Sequence, residues 1–441
     1  MDTQPRHATS TAGTSGLADR IRARTATVGL VGLGYVGLPL LLSAAREGFA
    51  VIGVDADPGK IASLLQGRSY VVDISDADLA SFGSVSFTTD PSRLRAADII
   101  IIAVPTPLTD GVPDLALVLR AGTDVMHALR PGQLVILEST TYPGTTEEVL
   151  QPILESSGLR AGVDFALAYS PERIDPAGSW DFRDVPKIVA GITPGDTALV
   201  ELFYSQLVAK VVTTPTPREA EMAKLIENTF RQVNIALVNE LAMLAPELDV
   251  DIWAALDAAS SKPYGYMPFW PGPGVGGHCI AIDPSYLTWR VGQRLGFSIG
   301  FIERAKEVNS RMPRYIANRV TEALNAVRKP LNGSRIMAVG LAYKAGVNDV
   351  RESPSLAVVE LLGARGAVCV YHDPYVPVIE IRGDAAHSQP LDPELIETQD
   401  CVVILTAHPG IDYEAVVRSA KLVFDARGVT RGMDAPNVVR L

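Results

Sequence analysis

The chain has 441 residues, 47% of them hydrophobic and 20% charged, which exceeds one ordinary domain and fits two or three with sizeable cores. A formal charge of −11 argues against nucleic acid or an anionic membrane as the main partner, although a few local basic residues suffice for an anionic substrate. No apolar run reaches the roughly 18 residues that span a bilayer and no apolar stretch follows the N-terminus, so the expectation is a soluble, cytoplasmic protein without membrane insertion.

The opening residues 1–16, rich in Ser, Thr and Gly, show no periodicity and predict a disordered tail, taken to residue 20. Apolar runs of strand length follow at 27–33, 51–54 and 99–104, each closed by Gly, Asp or Pro, with helical patterns at 36–47 and 58–66. Continuous apolar strands alternating with helices predict a parallel sheet covered on both faces. Further strands at 134–137, 165–169 and 188–191 fit its second half.

A long helical pattern runs from about 217 to 248. Met222, Ile226, Phe230, Val233, Leu237 and Leu244 fall on one side of it, and Glu221, Lys224, Asn228, Arg231 and Asn239 on the other. By spacing alone the polar stripe reads as a solvated face. After Gly333 the opening repeats in outline: strand, glycine turn, helix, small-residue turn, strand, acidic residue. The predicted class is α/β, with two Rossmann-like doubly wound domains joined by a long central helix. The expected boundaries are a tail at 1–20, a first Rossmann domain at 21–215, a central helical domain at 216–330 and a second Rossmann-like domain, for a different ligand, at 331–441.

Gly32-Leu33-Gly34-Tyr35-Val36-Gly37 follows a strand and opens a helix, the context that gives a GxGxxG pattern its meaning. Gly32 permits the tight turn, Gly34 lets the backbone approach a pyrophosphate, and Gly37 lets helix and strand pack closely. Tyr35 and Val36 complete the cofactor turn. Asp55 ends the second strand, where a carboxylate meets the adenosine ribose and favours NAD over NADP; Lys60 lies near that end of the cofactor.

The three cysteines are far apart with no CxxC pair, so neither a disulfide framework nor a metal site is expected. Cys279 stands out, because Gly272, Gly274, Gly276, Gly277 and Pro273 precede it. Such a loop presses amides close to a substrate while presenting a thiol. Asp283, four residues on, takes or orients a proton. Cys369 and Cys401, inside strands, suit the role of small buried hydrophobes. A pairing of Cys279 with His278 is set aside, since neighbours in an extended loop point apart.

The glycine fingerprint, Ser139-Thr140, Ser170-Pro171-Glu172-Arg173, the Lys224/Asn228 helix and the GGxC loop occur in one order along residues 20–440. Together they resemble the UDP-glucose/GDP-mannose dehydrogenase family. The resemblance implies oxidation of a primary alcohol to a carboxylate by two successive hydride transfers to NAD. It makes Cys279 the nucleophile, through a thiohemiacetal and a thioester. Lys224 and Asn228 surround the C6 oxygen, Lys224 stabilising an alkoxide. Glu172 activates water against the thioester with help from Thr140, and Asp283 supports either Lys224 or that water. Thr106 and Arg351 match cofactor contacts; Gly276, Lys344 and Arg427 are assigned to the substrate.

The stretch 262–283 is similar to the UDP-N-acetylhexosamine branch, with UDP-N-acetylglucosamine of surface-polysaccharide pathways first, UDP-N-acetylmannosamine next and UDP-glucose third. A homodimer or higher homo-oligomer is expected. Two other classes compete. A one-step 2-hydroxyacid or 6-phosphogluconate-type dehydrogenase needs no thiol in a glycine loop. A catalytically silent NAD-binding regulatory protein has no need for intact Cys279, Lys224, Asn228 and Glu172.

Overall fold

Ile99–Ile102 is a run of four isoleucines, all buried. A β-branched run of that kind favours extended backbone and is stable where a sheet is covered on both faces. The computed structural model, which describes residues 12–71, 74–82, 85–174, 178 and 180–441, places it inside such a sheet. The chain divides into two units, Met1–Glu227 and Asn228–Leu441, joined by one long helix.

The first unit carries β1 (Thr27–Val31), β2 (Ala50–Val54), β3 (Val85–Thr88), β4 (Ile99–Ile102), β5 (Leu134–Leu137), β6 (Ala166–Tyr169), β7 (Lys187–Gly191) and β8 (Val211–Thr213). Their order across the sheet is β8-β7-β6-β5-β4-β1-β2-β3. The chain direction across the sheet reverses between β1 and β4. The crevice beyond their C-terminal ends is where an open α/β sheet binds its ligand. Neighbours are parallel except β6 and β7, which are antiparallel. The strand expected at 188–191 therefore runs against the direction that a parallel second half implies. The physical reason is the connection, because a parallel return needs a crossover helix. Among its described residues, the segment between β6 and β7 carries only a short turn at Phe182–Asp184.

The expected tail also needs correction. Residues 1–11 lie outside the described residues, but Ala12–Arg22 is a helix, α1. Leu17 and Ile21, four apart and so on one face, are both fully buried in the core that includes Leu199 and Phe203 of the helix Pro194–Tyr204. Arg20 reaches Asp98 at 3.1 Å. The Ser/Thr/Gly composition masks that apolar pair.

The long helix, Pro217–Leu244, inverts the amphipathic reading. Ile226 and Leu237 are 55% and 53% exposed, and Phe230 and Leu244 are exposed as well. Glu221, Lys224, Asn228, Gln232 and Asn239 are buried; of the polar residues singled out from the sequence, Arg231 alone stays exposed. The polar stripe is the inner face. A polar face is stable inside only if its groups find partners, and each unit supplies its own partners to its part of the helix.

The second unit holds the helix His278–Leu295, the helix Gly300–Ala326, and a five-stranded parallel sheet. Its strands are β9 (Arg335–Val339), β10 (Val368–His372), β11 (Cys401–Ile404), β12 (Val423–Asp425) and β13 (Val438–Arg440), ordered β10-β9-β11-β12-β13. The internal repeat extends to single hydrogen bonds. Gly32 donates to the Val54 carbonyl at 2.8 Å and Gly340 to that of His372 at 2.8 Å. Leu33 N–H donates to Asp55 Oδ2 at 2.8 Å and Leu341 N–H to Asp373 Oδ2 at 2.7 Å. Among the described residues no helix is long and apolar enough to cross a membrane.

Leu17→Ala should destabilise the first unit by about 3 kcal/mol, the usual cost of truncating a fully buried leucine. Chemical denaturation checks this; an unchanged midpoint would mean that α1 is not part of the core.

Candidate active site

The first unit presents the glycine turn at its reversal point. Gly32 has φ +96°, and a Cβ there would lie 2.6 Å from the Ala103 carbonyl oxygen. A Cβ on Gly37 would lie 1.9 Å from the Gly32 carbonyl oxygen. The fold's own packing requires both. Gly34 differs, since no described atom lies within 4 Å of its Cβ position. The fold does not need that glycine, and the open space there fits an approaching pyrophosphate. Tyr35 and Val36 lead into the helix Gly37–Arg46, with Val36 at its N-cap.

Asp55, buried at the end of β2, accepts from Asp57 N–H at 2.9 Å and faces Lys60 Nζ at 3.4 Å, besides its bond from Leu33. Thr106 donates to the Thr140 carbonyl at 2.8 Å, and Ser139 Oγ to that of Val104 at 2.7 Å. These bonds lock the loops after β4 and β5 together. Open space at Gly34, a helix start and a strand-end carboxylate fit an adenine dinucleotide. Tyr70, which sequence reasoning passed over, donates to the Leu33 carbonyl at 2.6 Å behind this turn.

The inner face of the long helix supplies the next group. Glu221 accepts from Gly144 N–H at 2.5 Å, Thr146 N–H at 2.9 Å and Thr146 Oγ1 at 2.7 Å. Burial pushes its carboxyl up to about 7. Lys224 Nζ donates to the Glu172 carbonyl at 2.6 Å and lies 3.5 Å from its Oε2, both side chains being buried. Burial raises the Glu172 carboxyl above the usual range; the charges of Lys224 and Lys187 pull it back, and Glu138 pushes it up. Thr140 is half-buried.

Glu138 and Lys187 form a buried ion pair at 2.7 Å. Tyr204 OH donates to Glu138, and the Lys187 ammonium sits 5.1 Å from the Tyr204 ring centroid. Sequence reasoning missed this triad. Its signal was a charged residue, Glu138, closing the all-apolar strand β5 just before Ser139.

In the second unit the cysteine segment is not a loop throughout. Residues 272–277 are irregular, but His278 and Cys279 are the first two residues of the helix His278–Leu295, with Gly277 at its N-cap at φ +76°. The extended-loop argument about neighbouring side chains therefore does not apply there. The glycines also have a packing role. A Cβ on Gly276 would meet the Glu352 carbonyl at 2.7 Å, one on Gly277 the Tyr343 ring at 2.8 Å, and one on Gly272 the Arg427 guanidinium at 2.1 Å. They let the loop lie against residues 343–354 and Arg427.

Two prolines shape its supports. Pro284 cannot donate to the Ile280 carbonyl, which accepts from Gln232 Nε2 at 3.2 Å instead. Pro313 frees the Asn309 carbonyl, against which Gly274 packs. Asn239 Oδ1 accepts from Gly272 N–H at 2.9 Å while its Nδ2 donates to Asn309 at 2.9 Å. Asp283, buried, accepts from Asn228 Nδ2 at 2.6 Å.

Arg351 turns its guanidinium onto Asp349 at 2.6 Å, and its carbonyl accepts from Gly277 N–H at 3.0 Å. Lys344 is half-buried in the loop after β9. Burial lowers the Arg427 pKa. Burial pushes Cys401 up to about 12 and Cys369 to about 11, as inert thiols require. Among the described residues no cluster of His, Cys, Asp and Glu could hold a metal ion.

Residues 26–208 match the NAD binding domain of the UDP-glucose/GDP-mannose dehydrogenase family, 218–311 its central domain and 337–432 its UDP binding domain. The chain belongs to that family of NAD-dependent oxidoreductases. It is 36% identical over 389 residues to a UDP-N-acetyl-D-glucosamine 6-dehydrogenase of Pseudomonas aeruginosa, covering 86% of this chain and 90% of the relative. It is 34% identical over 416 residues to a UDP-N-acetyl-D-mannosamine dehydrogenase of Pyrococcus horikoshii, covering 92% and 96%. A solved structure of UDP-D-ManNAc dehydrogenase from Pyrococcus horikoshii superposes with a TM-score of 0.84 at 33% identity, covering 94% of this chain and 98% of that one.

Gly34→Ala should leave stability near wild type while weakening NAD binding tenfold or more, because its Cβ displaces only the ligand. Gly37→Ala should instead disrupt the fold. Thermal unfolding and calorimetric titration with NAD separate the two; wild-type affinity in Gly34→Ala would remove this glycine from the cofactor site.

Proposed function

We propose that this chain oxidises the C6 hydroxyl of UDP-N-acetylglucosamine to the uronate, in two NAD-linked steps through a thioester on Cys279, for surface polysaccharide synthesis. The observation that carries the reading is the pairing of Lys224 with Glu172, two buried groups of opposite charge presented at the end of a dinucleotide-binding sheet. Residues at the glycine turn, Asp55, Lys60, Thr106 and Arg351 hold the cofactor, which accepts the hydrides.

In the first step Lys224 and Asn228 hold the C6 oxygen; its proton passes to water, the ammonium stabilises the alkoxide, and hydride leaves C6 for NAD. The Cys279 thiolate then adds to the aldehyde carbon, giving a thiohemiacetal. Loss of the second hydride leaves a thioester. Glu172 takes a proton from water held with the help of Thr140. The hydroxide breaks the C–S bond, releasing carboxylate and thiol. Asp283 keeps Asn228 oriented. Gly276, Lys344 and Arg427 meet the nucleotide sugar, the two cations balancing its phosphates.

The choice of sugar rests on residues 262–283 and on the relatives named above. UDP-N-acetylmannosamine, differing in the configuration at C2, is the second reading, favoured by the structural likeness to the Pyrococcus horikoshii enzyme. The exposed apolar row of Ile226, Phe230, Leu237, Leu241 and Leu244 along the long helix supports a homodimer through that surface.

Presented with UDP-N-acetylglucosamine, UDP-N-acetylmannosamine, UDP-glucose and GDP-mannose, the enzyme should show its highest kcat/KM on the first and release two NADH per sugar without free aldehyde. One NADH per sugar with accumulating aldehyde would contradict the thioester route. Absence of NADH with every sugar would favour a regulatory NAD-binding protein.

A further inference from the structure

The second sheet has its own point of reversal. From β9 the chain moves to β10 on one side and then returns to β11 on the other, so the loops after β9 and β11 flank the crevice where such a sheet takes a ligand. One imidazole ties these loops together. His408, in the loop after β11, is fully buried with its Nε2 3.0 Å from Asp373 Oδ2, at the end of β10. Gly346 N–H, in the loop after β9, points at His408 Nδ1 at 3.2 Å.

These contacts fix the tautomer. A backbone N–H can only donate, so Nδ1 is bare and the ring proton sits on Nε2, which donates to Asp373. Asp373 is suited to receive it as a carboxylate. Its Oδ2 also accepts from Leu341 N–H at 2.7 Å and Ala342 N–H at 3.0 Å, and its Oδ1 from Tyr375 N–H at 2.9 Å and Val376 N–H at 3.1 Å.

The consequence lies in what is held between the anchors. Asp373 grips the backbone at 341–342 and His408 grips it at 346, leaving a short arch of Tyr343, Lys344 and Ala345. Thr406 Oγ1 donates to the Ala342 carbonyl at 2.7 Å, adding a second bond from the His408 loop. Tyr343 is the ring against which Gly277 packs, at the N-cap of the cysteine helix. An apolar side chain at 408 could fill the volume, but it could not hold Gly346 N–H. The arch would then lose its anchor at residue 346.

We propose that His408 is a positioning residue for the nucleotide sugar: a neutral, Nε2-protonated imidazole that fixes the arch 343–345 and so sets Lys344 for the diphosphate. The inference rests on the assignment of Lys344 to the substrate. Glutamine offers an acceptor and a donor at about the spacing of the two ring nitrogens, so His408→Gln can keep both bonds whereas His408→Phe keeps neither.

The test is calorimetric titration with UDP and steady-state kinetics on wild type, His408→Phe, His408→Gln and Lys344→Ala. His408→Phe should weaken UDP binding and raise KM for the UDP-sugar on the order of tenfold, the effect of one lost hydrogen bond. Its kcat and its KM for NAD should stay near wild type, and His408→Gln should recover most of the loss. Nitrogen NMR of the wild type should show a bare Nδ1 and a protonated Nε2 at His408, a readout that stands even where His408→Phe does not fold. A folded His408→Phe with wild-type UDP affinity, a Gln variant no better than Phe, or an Nδ1-protonated ring would overturn the proposal. UDP affinity unchanged in Lys344→Ala but lowered in His408→Phe would instead overturn the assignment of Lys344 on which it rests.

Discussion

The constraint on which the candidate site depends is that the long helix buries its polar face. An unsatisfied buried polar group costs about 1–3 kcal/mol, and an uncompensated buried charge more. Each inward residue must therefore grip something. Glu221 grips the turn at 144–146, Lys224 grips Glu172, Asn228 grips Asp283, Gln232 grips the Ile280 carbonyl, and Asn239 grips Gly272. Residues that could have stabilised a helix with a plain apolar face instead fix the segments that carry the proposed chemistry. The apolar residues displaced by this arrangement lie on the outer side, exposed.

The irregular backbone follows the same logic. Proline within a helix leaves a carbonyl without its usual donor, and here both such carbonyls are used. Ile280 receives Gln232, and Asn309 backs Gly274. Glycines at 272, 276 and 277 allow contacts that any Cβ would block. Behind Glu172, the Glu138–Lys187 pair with Tyr204 adds one charge of each sign to the buried Glu172–Lys224 pair, so that the four buried charges balance.

Much of this was legible in the sequence where local geometry dictates residue type. The GxGxxG turn, the strand-end acid at Asp55 and the repeat around Gly340 each carry a backbone or chemical requirement that few residues meet. Other features were hidden. The polar stripe read as solvated because periodicity reports that two faces differ, not which one is inside. Leu17 and Ile21 were lost among small polar neighbours. The direction of β7 depends on how the chain returns from β6, which no strand pattern encodes. His408 gave little signal because its partners, Gly346 N–H and Asp373, are far away in sequence.

On the proposed route, Cys279 holds the sugar acid until Glu172 activates water. Intact-protein mass spectrometry of Glu172→Gln during turnover tests it most directly. Thioester formation does not need the Glu172 carboxylate but hydrolysis does, so the variant should accumulate one uronyl adduct that peptide mapping places on Cys279, with NADH released in a burst of two per active site. NADH release at a steady rate with no adduct on Cys279 would contradict the account.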